Sequence, residues 1–110
     1  MDTLTVYQND TPTLKFTCTY QDTGDAIDLS PATLTLKCKT EDLLTTVFTK
    51  SDGDFDKTDA ANGIVQVGLD GDDTATAREL TIAEVEAYFS STSKRLTLCR
   101  FWINVVEDIA

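Results

Sequence analysis

Leu14-Lys15-Phe16-Thr17-Cys18-Thr19-Tyr20 and Thr33-Leu34-Thr35-Leu36-Lys37-Cys38-Lys39 decide the fold class. In both stretches large apolar side chains alternate with Thr and Lys at period two, which places one face of a strand in a core and the other in water. Working outward, Leu4 and Val6 alternate with Thr3, Thr5 and Tyr7 as a short first strand. Leu43 to Lys50, rich in Thr, Val and Phe, reads as another strand, and Val65, Val67 and Leu69 as a further one. Arg95 to Val106 sets Cys99, Phe101, Ile103 and Val105 on one parity and Leu96 and Leu98 on the other. That switch predicts a bulge near Cys99 or burial of both faces. Six or more short strands separated by turn signals predict an all-β protein, an antiparallel β-sandwich.

The breaks between strands carry the expected turn residues. Gln21 to Asp25 contains Asp and Gly, which accept turn dihedrals, and Ser51 to Gly63 is polar, acidic and closed by Asn62-Gly63. One segment departs from the period of two. Thr81-Ile82-Ala83-Glu84 has the form of a capping box, and Ile82, Val85 and Phe89 follow at helical spacing. The spacing predicts one short helix over residues 81–89, covering an open end of the sandwich.

Composition restricts the function. At 110 residues the chain has room for one domain, residues 1–110, and its 41% apolar content is too high for disorder. No apolar run reaches the roughly 18 residues of a membrane span. Nineteen acidic against nine basic residues give a net charge of −10, which repels nucleic-acid phosphates and anionic lipid, so neither is an expected partner. Histidine is absent, removing the usual general base and the commonest metal ligand. The expectation is a non-enzymatic protein with no cofactor. The first residues carry no basic and apolar leader pattern, and three widely spaced cysteines, Cys18, Cys38 and Cys99, suit a reducing compartment. Each shares parity with apolar neighbours and is expected inward, reduced and slow to react, although strands in one core also bring a Cys18–Cys99 or Cys18–Cys38 disulfide within reach.

Two acidic loops offer the only candidate chemistry. Asp52-Gly53-Asp54-Phe55-Asp56 places Asp at alternate positions, the opening of a calcium loop, with Asp59 nearby. The EF-hand pattern then requires Gly where Lys57 stands and Glu where Gly63 stands, so a solvated acidic loop is the reading preferred over a metal site at Asp52, Asp54, Asp56 and Asp59. Asp70-Gly71-Asp72-Asp73 is read the same way. Acid–base hydrolysis would need paired carboxylates in a pocket, and nothing in the sequence marks one. Trp102, Phe101 and Tyr88 suit a sugar-binding surface as well as ordinary packing.

The order of turns and strands resembles a known family. Val6-Tyr7-Gln8-Asn9-Asp10-Thr11, an alternating strand, and then Asp22-Thr23-Gly24-Asp25-Ala26-Ile27-Asp28-Leu29 look like the immunoglobulin-like N-terminal domain of tailed-phage baseplate upper proteins. Asn62-Gly63-Ile64-Val65 and Asp72-Asp73-Thr74-Ala75 are similar to later turns of that family, so the resemblance spans roughly residues 4 to 75. Asn9 stands where the family usually has Gly, and the chain beyond residue 75 departs from the family's shorter ending.

The resemblance implies an Ig-like sandwich acting as a structural protein of a tailed-phage or prophage virion, made in the host cytoplasm. It implies docking onto other virion proteins of a symmetric baseplate, tail or capsid assembly. A charge of −10 predicts that the isolated chain is a monomer or weak oligomer, docking on a partner ring with compensating basic or apolar surface. Thr3–Tyr7 and Arg100–Val106 are the expected sheet edges. The alternative is a cell-surface adhesion or carbohydrate-binding module, with calcium dependence left open.

Overall fold

The stretch Thr33–Lys39 forms a strand throughout, whereas Leu14–Tyr20 does so only as far as Thr17, with Thr19 in an isolated bridge to Ala26 and Tyr20 exposed. The computed structural model describes residues 2–107, which fold into β1 (Thr3–Tyr7), β2 (Thr13–Thr17), β3 (Thr33–Lys39), β4 (Thr46–Lys50), β5 (Phe55–Asp56), β6 (Ile64–Gly68), β7 (Arg78–Phe89) and β8 (Lys94–Val106). Short 3-10 turns at Asp52–Asp54 and Ala60–Asn62 flank β5. A five-stranded sheet runs β1-β8-β7-β3-β4, and a three-stranded sheet runs β2-β6-β5. Every pairing is antiparallel except that of β1 with β8, which is parallel.

Period two explains which side chains meet between the sheets. Leu34, Leu36 and Cys38 of β3, Val85 of β7 and Ile103 of β8 face Leu14 of β2, Phe55 of β5 and Val65 and Val67 of β6. Leu34, Leu36 and Val65 are fully buried, and each such side chain contributes on the order of 1.5–3 kcal/mol of transfer free energy.

The segment expected as a helix is a strand. Residues 81–89 belong to β7, hydrogen-bonded to β3 on one side and β8 on the other. Thr81, Ala83, Val85 and Ala87 point inward and are buried, while Ile82, Glu84, Glu86 and Tyr88 point outward. Ile82 and Val85, read as one helical face, therefore lie on opposite faces of a sheet. Thr81 Oγ1 donates to the Ile103 carbonyl at 2.7 Å instead of capping a helix. Pairing on both edges satisfies the backbone along the strand, and that outweighs a local capping signal.

Other boundaries shift for equally local reasons. The strand expected from Leu43 begins at Thr46, because Leu43 and Leu44 form the β3–β4 turn, with Leu43 at φ 64°. The acidic segment 51–63 is not all loop, since Phe55 is drawn into the core and carries β5 with it. Arg100–Val106 is interior to its sheet, with only β1 of the two expected edges lying at an edge. The bulge near Cys99 is present: the register steps from Val85↔Cys99 to Glu86↔Thr97, leaving Leu98 as the extra residue.

A second bulge opens β7, where Glu79 and Leu80 stand between the pairs Arg78↔Val105 and Thr81↔Ile103. Leu80 sits at φ 52° and donates its N–H to Asn104 Oδ1 at 2.8 Å. Its side chain is exposed. Leu80→Asn relieves much of the left-handed strain, which offsets the loss of the partly covered leucine side chain, so the expected change is within about 1 kcal/mol of the wild type. Urea unfolding checks this through a midpoint close to that of the wild type at unchanged slope.

Candidate functional site

The acidic candidates are separated by their own turns. Asp52 Oδ1 accepts the Leu34 N–H at 2.9 Å and the Lys57 ammonium at 3.2 Å. Asp54 Oδ2 accepts the Ser51 N–H at 2.9 Å. Asp56 Oδ1 takes the Thr58 hydroxyl at 2.6 Å and the Thr58 N–H at 2.9 Å, and these bonds hold its carboxyl below the usual range. Asp59 closes the next turn through its backbone carbonyl, which accepts from Asn62 and Ile64. The carboxylates of Asp52, Asp54 and Asp56 are thus occupied in shaping the loop, whereas Asp59 contributes its backbone. Among the described residues no three Asp, Glu, Cys or His side chains converge as a metal cluster would require.

The second acidic loop grips a cation. Asp73 Oδ2 and Asp70 Oδ2 lie 2.7 and 3.1 Å from Lys50 Nζ, which points inward from β4. Burial alone would depress that ammonium, but the hydrogen bonds and charges of Asp73 and Asp70 outweigh it and raise Lys50 above its ordinary value. The arrangement fastens the 70–75 loop to the edge of the five-stranded sheet.

The cysteines are three free thiols, with Cys18 and Cys38 buried as expected. Cys99 is only half-buried. It lies with Leu4, Phe16, Leu98 and Phe101 along a groove of about 520 Å³ where the narrower three-stranded sheet stops short of covering β8 and β1. Burial pushes the Cys18 and Cys38 thiols up, and Cys99 is pushed up to about 11, chiefly by burial and then by the neighbouring Cys18. Few thiolates exist at neutral pH, so labelling of the folded chain at pH 7.5 is expected to be slow and to begin at Cys99. Mass spectrometry of the native and denatured chain checks this; three rapid modifications are expected only in denaturant.

The outer face of the five-stranded sheet carries a feature that sequence inspection missed. Strand register brings Lys37 and Lys39 of β3, Ile82, Glu84 and Glu86 of β7, and Arg95 and Arg100 of β8 around a groove of about 430 Å³, with Leu43 at its end. Arg100 binds Glu84 Oε2 through Nε at 3.0 Å and through an Nη at 2.6 Å. Arg95 binds Glu86 Oε1 at 2.7 Å and stacks its guanidinium 5.1 Å from the centre of the Tyr88 ring. Trp102 continues this surface, lying half-buried beside Ile82 in the register. It is an outward residue, not part of the core. The only sequence signal for this site was the polar parity of the strands; their lateral order was not legible.

This architecture is that of an Ig-like domain. A solved structure described as that of NK cell receptor Nkp44, a triggering partner in natural cytotoxicity, superimposes with a TM-score of 0.54. The match covers 94% of this chain and 96% of that one at 19% sequence identity, a level that speaks to the fold alone. No family model matches the chain, and no curated protein matches it.

Proposed function

We propose that this chain is a non-enzymatic structural module of a tailed-phage or prophage particle, which docks as an Ig-like unit onto a baseplate, tail or capsid assembly. The observation that carries the reading is the backbone at the turns of the resemblance. Gly24 at φ 75° and Gly63 at φ 77° are left-handed, and so is Asn9 at φ 65°, where the family usually has Gly. Asn is the residue that best tolerates that region after Gly, so the departure at Asn9 preserves the turn. The Asn9 N–H then donates to the Thr74 carbonyl at 3.0 Å, and Thr74 Oγ1 donates to the Asp10 carbonyl at 2.7 Å, joining the first and last turns of the resembling region.

The particle reading is tested by mixing the purified chain with the tail, connector and capsid proteins of a phage or prophage from the same genome and following complex formation by light scattering. Purified particles are then probed for the chain at fixed stoichiometry. The expected result is incorporation on one partner ring. A chain absent from particles and inert toward all of these proteins would remove the proposal.

A further inference from the structure

We propose that the outer face of the five-stranded sheet is a docking surface for an acidic protein partner, one that presents carboxylates beside an apolar side chain. This deepens the docking reading above and rests on it. The face runs against the charge of the whole molecule. Four of the nine cationic side chains, Lys37, Lys39, Arg95 and Arg100, line one groove with only two carboxylates, Glu84 and Glu86. Both carboxylates are consumed by the arginines in the ion pairs Arg100–Glu84 and Arg95–Glu86. Lys37 and Lys39 make no ion pair among the described residues, and Lys37 is exposed. The surplus positive charge of the face therefore resides on two unengaged ammonium groups, two residues apart on β3 and pointing the same way.

The protein measures 45 Å along its long axis, and charges in water are screened over about 10 Å at 0.1 M salt. At contact range an approaching partner therefore responds to Lys37 and Lys39 and to the carboxylates nearest them in the chain, Glu41 and Asp42 of the β3–β4 turn, of which Asp42 already accepts the Thr40 hydroxyl at 2.6 Å and the Leu44 N–H at 3.0 Å. A partner that neutralises these lysines also meets Ile82 and Trp102, half-buried side chains that lose their remaining water when covered. An amphipathic acidic segment fits that combination. Duplex DNA does not, because two lysines release too few counterions to offset repulsion by a chain of net charge −10.

Trp102 is the single tryptophan and stands on this face, which makes it the reporter. Its emission is titrated with poly-L-glutamate, with poly-L-lysine and with duplex DNA, using the wild type and the variant Lys37→Glu/Lys39→Glu. Thermal melts confirm that the variant is folded, and Lys37→Gln/Lys39→Gln supplies a milder step. The expected result is a salt-sensitive response to poly-L-glutamate that weakens roughly tenfold or more in the glutamate variant and less in the glutamine variant. Equal response of wild type and glutamate variant, or preference for DNA, overturns the inference. The particle experiment, repeated with the glutamate variant, separates the two proposals. Incorporation unaffected by the substitutions removes the sheet face and keeps the particle reading, whereas loss of incorporation in a folded variant supports both.

Discussion

Alanine at position 63 is expected to cost about 3 kcal/mol of stability or more. Gly63 has φ 77°, and a Cβ there falls inside van der Waals contact with the Cys18 carbonyl oxygen and 3.1 Å from that of Ile27. Both obstacles are backbone atoms, so no side chain can rotate away. Backbone hydrogen bonds tie the same three residues together: Cys18 donates its N–H to the Gly63 carbonyl at 2.8 Å, and Ile27 donates to the Cys18 carbonyl at 3.1 Å. Gly24→Ala is the matched control. Gly24 has φ 75° but open space around its Cβ, so only the dihedral strain of about 1–2 kcal/mol applies. Urea midpoints of the two variants separate dihedral strain from the clash.

Lys50→Met is expected to lower stability by about 2–3 kcal/mol, because it leaves Asp73 largely buried without its cation. The Lys50 and Asp73 side chains are only 10% and 12% exposed, whereas Asp70 is 77% exposed and rehydrates freely. Asp73 keeps one partner, the Asp70 N–H at 2.7 Å, which holds the effect below that of a fully orphaned charge. Lys50→Met/Asp73→Asn is expected to recover part of the loss, and the double-mutant cycle measures the pair. The pH dependence has a definite sign. The folded ammonium titrates above its ordinary value, so its contribution is complete below the lysine range of about 10.4 and is lost as pH rises through the raised folded value. Melting temperatures of the wild type and of Lys50→Met are expected to converge above that range.

The strands that a chain can reveal are those whose two faces differ chemically. β2 and β3 were legible because Leu, Phe and Cys alternate with Lys and Thr. β7 was not, because Ala83 and Ala87 fill its inward positions while Ile82 and Tyr88 lie outside, so the apolar pattern is strongest on the wrong residues. The same limit hid the cationic face. Lys37 and Lys39 stand far along the chain from Arg95 and Arg100, and only the order β8-β7-β3 joins them. Net charge is a sum over residues; it carries no information on where strand register places them. The acidic segment was expected as a solvated loop, and the turn-forming bonds of Asp52, Asp54 and Asp56 were not legible in it. Equally unexpected was Phe55, an aromatic that follows its burial into the core.

The parallel contact between β1 and β8 also orders events in time. It joins Thr3 to Trp102 and Tyr7 to Val106, so β1 completes its sheet only with a strand that is made long after it. Until β8 emerges, β1 has no partner strand and β7 lacks a neighbour on one side. Contacts of such sequence separation close slowly, on the order of milliseconds to seconds for sandwich topologies. The five-stranded sheet therefore closes only once β8 has been made. During translation the exposed strands depend on holding factors, or on the repulsion among nineteen carboxylates, to keep neighbouring nascent chains apart.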